Sequence, residues 1–260
     1  MAGNTQLPVY RNLRQILRRF DSNSVLALGV LVVTMVAVGK VWREHVEENS
    51  WMWRDGLLLG TWAVMFVLLA WDIRPRRDVP LALVGFAGGL VIEWWGTTTL
   101  LWVYFTEERP PFWILPAWPT AALAIDRLAR MATAIPGLAA RARGVYWVVL
   151  PSFIAAMTWF LWPSIRIPSS WVVLGIMLTT LFARPLHHRD VCLFVAGTAL
   201  GVLLETWGTT RHCWTYYTEE TPPWIAVAAH GFAAVAFSRA VQLLDEIGSA
   251  LPGRRSEVPR

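Results

Sequence analysis

Charge is scarce in this chain of 260 residues: only 16% are Asp, Glu, Lys or Arg. A soluble domain carries about 25% charged residues to cover its surface, so a water-soluble globule is excluded as the whole answer. Cysteine is scarcer still, with Cys192 and Cys213 alone. On one helix they stand roughly 30 Å apart, far beyond the ~7 Å reach of a bridge, so they cannot pair with each other. Familiar catalytic fingerprints are missing too. No G-x-S-x-G, H-E-x-x-H, Walker loop or dinucleotide-binding glycine pattern occurs. The basic residues form no groove interleaved with base-reading side chains, which argues against nucleic acid as partner. His212-Cys213 with a distant His230 lacks zinc spacing. Glu107, Glu108, Glu219 and Glu220 lack calcium-loop spacing. No metal and no cofactor is expected, and no segment is of low complexity.

What the chain has is apolar length. Hydrophobic residues make up 55%, and there are 17 tryptophans. Apolar runs recur at close to the length a helix needs to cross a bilayer: Val25–Trp42, Trp53–Trp71, Val79–Thr97, Phe112–Ala134, Val145–Trp162, Ser170–Ala183, Val191–Thr209 and Trp224–Leu244. The expected class is all-α, a polytopic membrane helical bundle of about eight spans. The sixth run is short, and the fourth carries Pro116 and Pro119, so these two are expected to be broken or shifted. The first run ends in Lys40-Val41-Trp42-Arg43 rather than small residues, which reads as a retained span and not a cleaved signal.

Basic residues orient the bundle. With a cytoplasmic N-terminus and alternating spans, seventeen Lys and Arg fall in inner segments and six in outer ones. This obeys the positive-inside rule and places both termini on the cytoplasmic side of a cell inner (plasma) membrane. The pI near 9.8 then reflects topology. The Arg11–Arg19 stretch is suited to lie on anionic headgroups. Trp42, Trp51, Trp53, Trp71, Trp162 and Trp171 sit at span ends as an interface belt.

One stretch occurs twice. Residues 77–128 align without a gap to 189–240 at a constant offset of 112, and nearly half the positions are identical. The first copy reads Glu93-Trp94-Trp95-Gly96-Thr97-Thr98, the second Glu205-Thr206-Trp207-Gly208-Thr209-Thr210. Both continue through Trp102/Trp214, Tyr104/Tyr216, Thr106-Glu107-Glu108/Thr218-Glu219-Glu220 and Pro110-Pro111/Pro222-Pro223. Four spans per copy is an even number, so the expected architecture is two parallel, same-orientation four-helix repeats. The expected divisions are a basic segment 1–24, a first repeat 25–134, a connector 135–144, a second repeat 145–245 and a tail 246–260.

Helical spacing sharpens a candidate site. Gly85, Gly89 and Glu93 are four apart, as are Gly197, Gly201 and Glu205. Residues so spaced drift only ~40° around a helix, so each trio shares one face. Gly-x-x-x-Gly lets helices approach closely in lipid, so each carboxylate should point inward. Thr97 and Thr209 follow one turn later. Two acids meeting near a common axis would hold one proton between them. Trp95, Trp102, Trp207 and Trp214 are candidate ligand contacts because both copies keep them. The second copy replaces Thr99-Leu100-Leu101 by Arg211-His212-Cys213 and Trp118 by His230. It thereby gains titratable groups near Glu205, which marks Arg211, His212 and His230 as candidate binding residues. The alternative for each is structural: the acids hold helix register, Arg211 and His212 meet headgroups, and His230 is a hydrogen-bonded core histidine. For Glu107, Glu108, Glu219 and Glu220 that account is helix-start electrostatics before Pro-Pro.

An intramembrane Glu followed by Trp-Gly-Thr-Thr, an aromatic with a Tyr-x-Thr turn, and prolines opening a span resembles the integral-membrane carotenoid-biosynthesis family that includes carotenoid 1,2-hydratases. The resemblance covers Glu93–Pro111 and Glu205–Pro223. It implies acid-catalysed addition of water to an isoprenoid double bond, with Glu205 or Glu93 protonating the alkene. Trp207 and Trp214 would stabilise the cation through their π faces. Tyr216, with Tyr104 as its counterpart, or a threonine would position water. The residues alone leave three classes open: a membrane enzyme or binder acting on an isoprenoid-like lipid, a small-molecule or proton-coupled transporter, and a structural or assembly subunit of a membrane complex.

Overall fold

The computed structural model describes residues 53–70, 73–134 and 137–250, together with scattered positions between 24 and 43. The basic N-terminal stretch, most of the first apolar run, Trp42, Trp51, Trp71, Pro136 and residues 251–260 lie outside the described residues. The chain forms two compact units, residues 1–79 and 80–260. In the first, helix α1 (Trp53–Ala70) buries Asp55 near its start, and the Ser24 hydroxyl donates to the Ala70 carbonyl at 2.8 Å.

Helix α2 (Pro75–Thr98) begins in the first unit and runs into the second. After it come β1 (Trp102–Tyr104), a short 3-10 turn (Phe112–Ile114), α3 (Ala117–Ala132), α4 (Leu138–Phe160), a second 3-10 turn (Trp162–Ser164), α5 (Pro168–Phe182), α6 (His187–Thr210), β2 (Trp214–Tyr216) and α7 (Trp224–Ala250). Helix dominates, as the apolar runs predict. Among the described residues, three helices, spanning 75–98, 187–210 and 224–249, are long and apolar enough to cross a membrane.

The fourth run is broken, as its prolines lead one to expect, and two other boundaries differ from expectation for local reasons. Phe112–Ile114 forms a 3-10 turn, and the helix restarts at Ala117 with Pro116 as its cap, because proline's missing N–H fits a helix start and not its interior. The expected connector 135–144 is helical from Leu138 onward, with Gly137, at φ +81°, as its N-cap. The tail expected from residue 246 is helical as far as Ala250.

Glycine sets the packing. Gly197 of α6 lies against the backbone of α7, where an added Cβ would sit 2.7 Å from the Gly231 Cα and the His230 carbonyl oxygen. A Cβ on Gly201 would sit 2.5 Å from the Val227 carbonyl oxygen. A Cβ on Gly85 would sit 3.1 Å from the Ala122 Cβ and 3.2 Å from the Pro119 Cα of α3, and Gly89 lies under Trp118. Both glycine stripes therefore serve close helix approach, as their spacing predicts. Leu81, Ala122, Ala233 and Phe237 form a core where α2, α3 and α7 meet.

The opposite end of α6 carries a buried ionic contact. The Arg239 guanidinium of α7 reaches Asp190 at 2.5 Å and also bonds the Arg184 carbonyl and Gln242. A second Asp190 oxygen contact runs back to the Leu186 N–H at 2.8 Å, and Asp78 makes the matching bond to the Arg74 N–H, also 2.8 Å. Each caps its helix N-terminus, where negative charge is favoured.

Candidate functional site

The recurrent motif folds on itself. Helix α2 ends in a left-handed residue, Leu100 at φ +60°, with the Leu101 N–H bonded to the Gly96 carbonyl (2.9 Å) and the Leu100 N–H to the Thr97 carbonyl (3.4 Å). That is a Schellman end. Helix α6 ends in the same way: His212 sits at φ +55°, the Cys213 N–H bonds Gly208 (2.9 Å), and the His212 N–H bonds Thr209 (3.1 Å). The turn sends the chain back over its own helix. The indole of Trp102 then lies on Gly96 and that of Trp214 on Gly208, where any Cβ would overlap the ring.

That reversal brings donors to the carboxylates. Glu93 Oε2 accepts from Trp102 Nε1 at 3.1 Å and from the Tyr104 hydroxyl at 3.0 Å, and its Oε1 accepts from Trp118 Nε1 at 3.1 Å. Glu205 Oε2 accepts from Trp214 Nε1 at 2.9 Å and from the Tyr216 hydroxyl at 3.0 Å, while its Oε1 is 3.0 Å from His230 Nε2. Both acids are buried, at 3% and 5% exposure. The donors stand at Glu+9, Glu+11 and Glu+25 in both copies, so the box is built from one continuous stretch.

The two boxes touch through rings. β1 and β2 pair antiparallel, Trp102 opposite Tyr216 and Tyr104 opposite Trp214. The strand period of two turns these four rings to the buried face and Val103 and Thr215 outward. Ring centroids are 5.9 Å apart for Trp102–Tyr216 and 5.7 Å for Tyr104–Trp214. Trp118 and His230 stack at 5.9 Å with 14° between planes. The phenols of Tyr104 and Tyr216 titrate well above their ordinary range, first because they are buried and then because of the adjacent carboxylates. They therefore remain donors at any ordinary pH.

Sequence reasoning expected the two acids to meet and share a proton. Each instead has its own three polar partners, and the boxes join through aromatic rings. Thr97 and Thr209 do not serve the carboxylates. Their hydroxyls bond the backbone carbonyls of Glu93 and Glu205, both at 2.6 Å, since a threonine four residues on reaches the i−4 carbonyl more readily. Trp95 lies outside the box: its indole donates to the Ser170 hydroxyl at 3.2 Å, which in turn meets Ser164 at 2.9 Å. Trp207 is buried. Arg211 is buried rather than at headgroups, and His212 is exposed as the left-handed turn residue. Glu107, Glu108, Glu219 and Glu220 are all exposed, and no group of metal-ligating side chains forms among the described residues.

Trp118 was missed as a Glu93 partner. Its signal was positional, because it aligns with His230. The Asp190–Arg239 contact was missed as well. Its signal lay in the repeat, which keeps Asp78/Asp190 and Arg127/Arg239; counting those arginines toward topology hid the pairing. No family model, curated protein or solved structure matches this chain.

Proposed function

We propose that this chain is an integral membrane protein that works as a scaffold, an assembly subunit of a membrane complex, with its twin carboxylate boxes fastening the lipid-embedded fold. The reading takes the chain as eight spans in two same-orientation repeats, both ends cytoplasmic. The observation that carries it is the saturation of both carboxylates. Each has three polar partners from its own stretch of chain, so the motif's Glu, Gly, Trp and Tyr are all accounted for by folding. An acid placed to protonate a substrate would need a face left open to it. Here those faces are taken by two indoles and a phenol at Glu93, and by an indole, a phenol and an imidazole at Glu205.

A second reading is favoured by one difference between the boxes. Only Glu205 has a base beside it, His230 at 3.0 Å. On that reading Glu205 gives its proton to an isoprenoid-like alkene, water adds to the resulting cation, and the water's proton returns to the Glu205–His230 pair. The Trp214 ring supplies a π face near the developing charge.

Lipid and pigment extraction from the purified protein, set beside its Glu205→Gln form, separates the two. The scaffold reading expects no isoprenoid whose structure differs between the samples, and a lowered thermal midpoint in both Glu93→Gln and Glu205→Gln. An isoprenoid that accumulates unconverted only with Glu205→Gln would overturn it in favour of the enzyme.

A further inference from the structure

The two boxes are near copies in geometry but not in proton chemistry. Around Glu93 every partner is a donor that does not exchange its role: two indole N–H groups and a phenol. Around Glu205 the position of Trp118 is taken by His230, whose Nε2 stands 3.0 Å from Oε1 and can donate to or accept from it according to its tautomer. We propose that Glu205 and His230 form a built proton-binding site, one that retains or releases a single exchangeable proton, a pairing that the indole of Trp118 cannot make with Glu93. This goes beyond the scaffold reading and holds whether or not the chain transforms a lipid.

The surroundings suit such a site. His230 faces Glu205 on α6, and through that carboxylate the Tyr216 hydroxyl on β2. On its other side lies Trp118 of α3, stacked on the imidazole and bonded to Glu93 of α2. A proton between Glu205 and His230 leaves the pair neutral overall, either as carboxylic acid with imidazole or as carboxylate with imidazolium. Loss of that proton leaves a buried carboxylate whose third donor is then a neutral imidazole N–H. The Trp118 ring lies parallel to the imidazole and offers its π face to it. Gly201 makes room for the imidazole: a Cβ there would lie 2.9 Å from His230 Cδ2.

The test exchanges the differing residues between boxes in the full chain. His230→Trp gives the second box the composition of the first, and Trp118→His does the reverse. The readouts are proton uptake, counted by potentiometric titration of the protein in detergent, and the nitrogen chemical shifts of isotope-labelled histidines. His45, His187, His188 and His212 are present in every sample and cancel in the differences. The expected result is one proton fewer in His230→Trp than in the parent, one more in Trp118→His, and a His230 resonance that moves between doubly and singly protonated forms. Equal uptake in parent and His230→Trp, or a His230 resonance fixed in one form across the range where histidine titrates, overturns the proposal. Where His230→Trp does not fold, His230→Gln keeps an N–H donor to Glu205 without a titrating group and is expected to show the same one-proton deficit.

Discussion

At the scale of single residues, the cost of opening a box follows from what is left behind. Replacing Glu93 by Leu removes the acceptor for Trp102, Tyr104 and Trp118 at once. A buried donor without a partner costs about 1–3 kcal/mol, so this change is expected to be among the most damaging single substitutions in the chain. Trp102→Phe removes one of the three bonds and is expected to cost about 1–3 kcal/mol, read as a fall in thermal midpoint in detergent. The phenols give a pH signature. Tyr104 and Tyr216 have folded-state pKa values raised above the unfolded value, chiefly by burial. A raised value contributes stability below the unfolded pKa and loses it as pH rises through the folded one. Of the five tyrosines, these two are expected to yield no phenolate absorbance in an alkaline titration until the fold itself gives way.

At the scale of elements, the helix ends decide whether the boxes close. Both α2 and α6 finish on a left-handed residue that is not glycine, Leu100 and His212. That conformation costs an L-residue roughly 1–2 kcal/mol. Leu100→Gly is therefore expected to raise the unfolding midpoint without changing the fold. Gly96→Ala and Gly208→Ala act oppositely. Each puts a methyl where the Trp102 or Trp214 indole lies, displaces a donor from its carboxylate, and is expected to lower the midpoint by more than the ordinary Gly-to-Ala propensity gain of about 1 kcal/mol could restore. The helices themselves, the glycine stripes and the proline break before α3 were legible in the sequence, because periodicity and proline act locally. The site was legible only in part. Glu93, Glu205, Trp102, Trp214, Tyr104, Tyr216 and His230 stood out as residues shared or exchanged between copies. Their roles did not, because the motif reads as a run of chemistry until the Schellman turn folds it back on its helix. Trp118, twenty-five residues beyond Glu93, belongs to the next helix, and no local rule joins the two.

At the scale of the whole molecule, topology and internal charge are the quantities to measure. The orientation inferred from arginine placement puts the Thr106–Pro111 and Thr218–Pro223 turns on the outer face. Single cysteines at the exposed positions Glu107 and Glu219, in a Cys192→Ala, Cys213→Ala background, are expected to react with a membrane-impermeant thiol reagent added from outside. Reaction only after the membrane is opened would reverse the topology. The buried Asp190–Arg239 contact lies at the other end of α6 from the Glu205 box. Removing one member of such a pair typically costs about 3–5 kcal/mol, so Arg239→Leu is expected to be destabilising, with Asp190→Asn, Arg239→Leu together recovering part of the loss. Arginines of this kind escaped the sequence reading because a basic residue at the inner edge satisfies the topology rule whether it faces headgroups or the protein's own carboxylates.

The pairing of β1 with β2 has one more consequence. Its register maps onto itself when the copies are exchanged: 102 faces 216, 103 faces 215 and 104 faces 214, each pair adding up to the same total. Such a contact is self-complementary in the sense of an isologous interface between identical subunits. Two separate polypeptides carrying a single copy each would find the same handshake. Within one chain the halves can differ, and the exchange of an indole for an imidazole at one position is a change that a symmetric pair of identical chains could not make on one side alone.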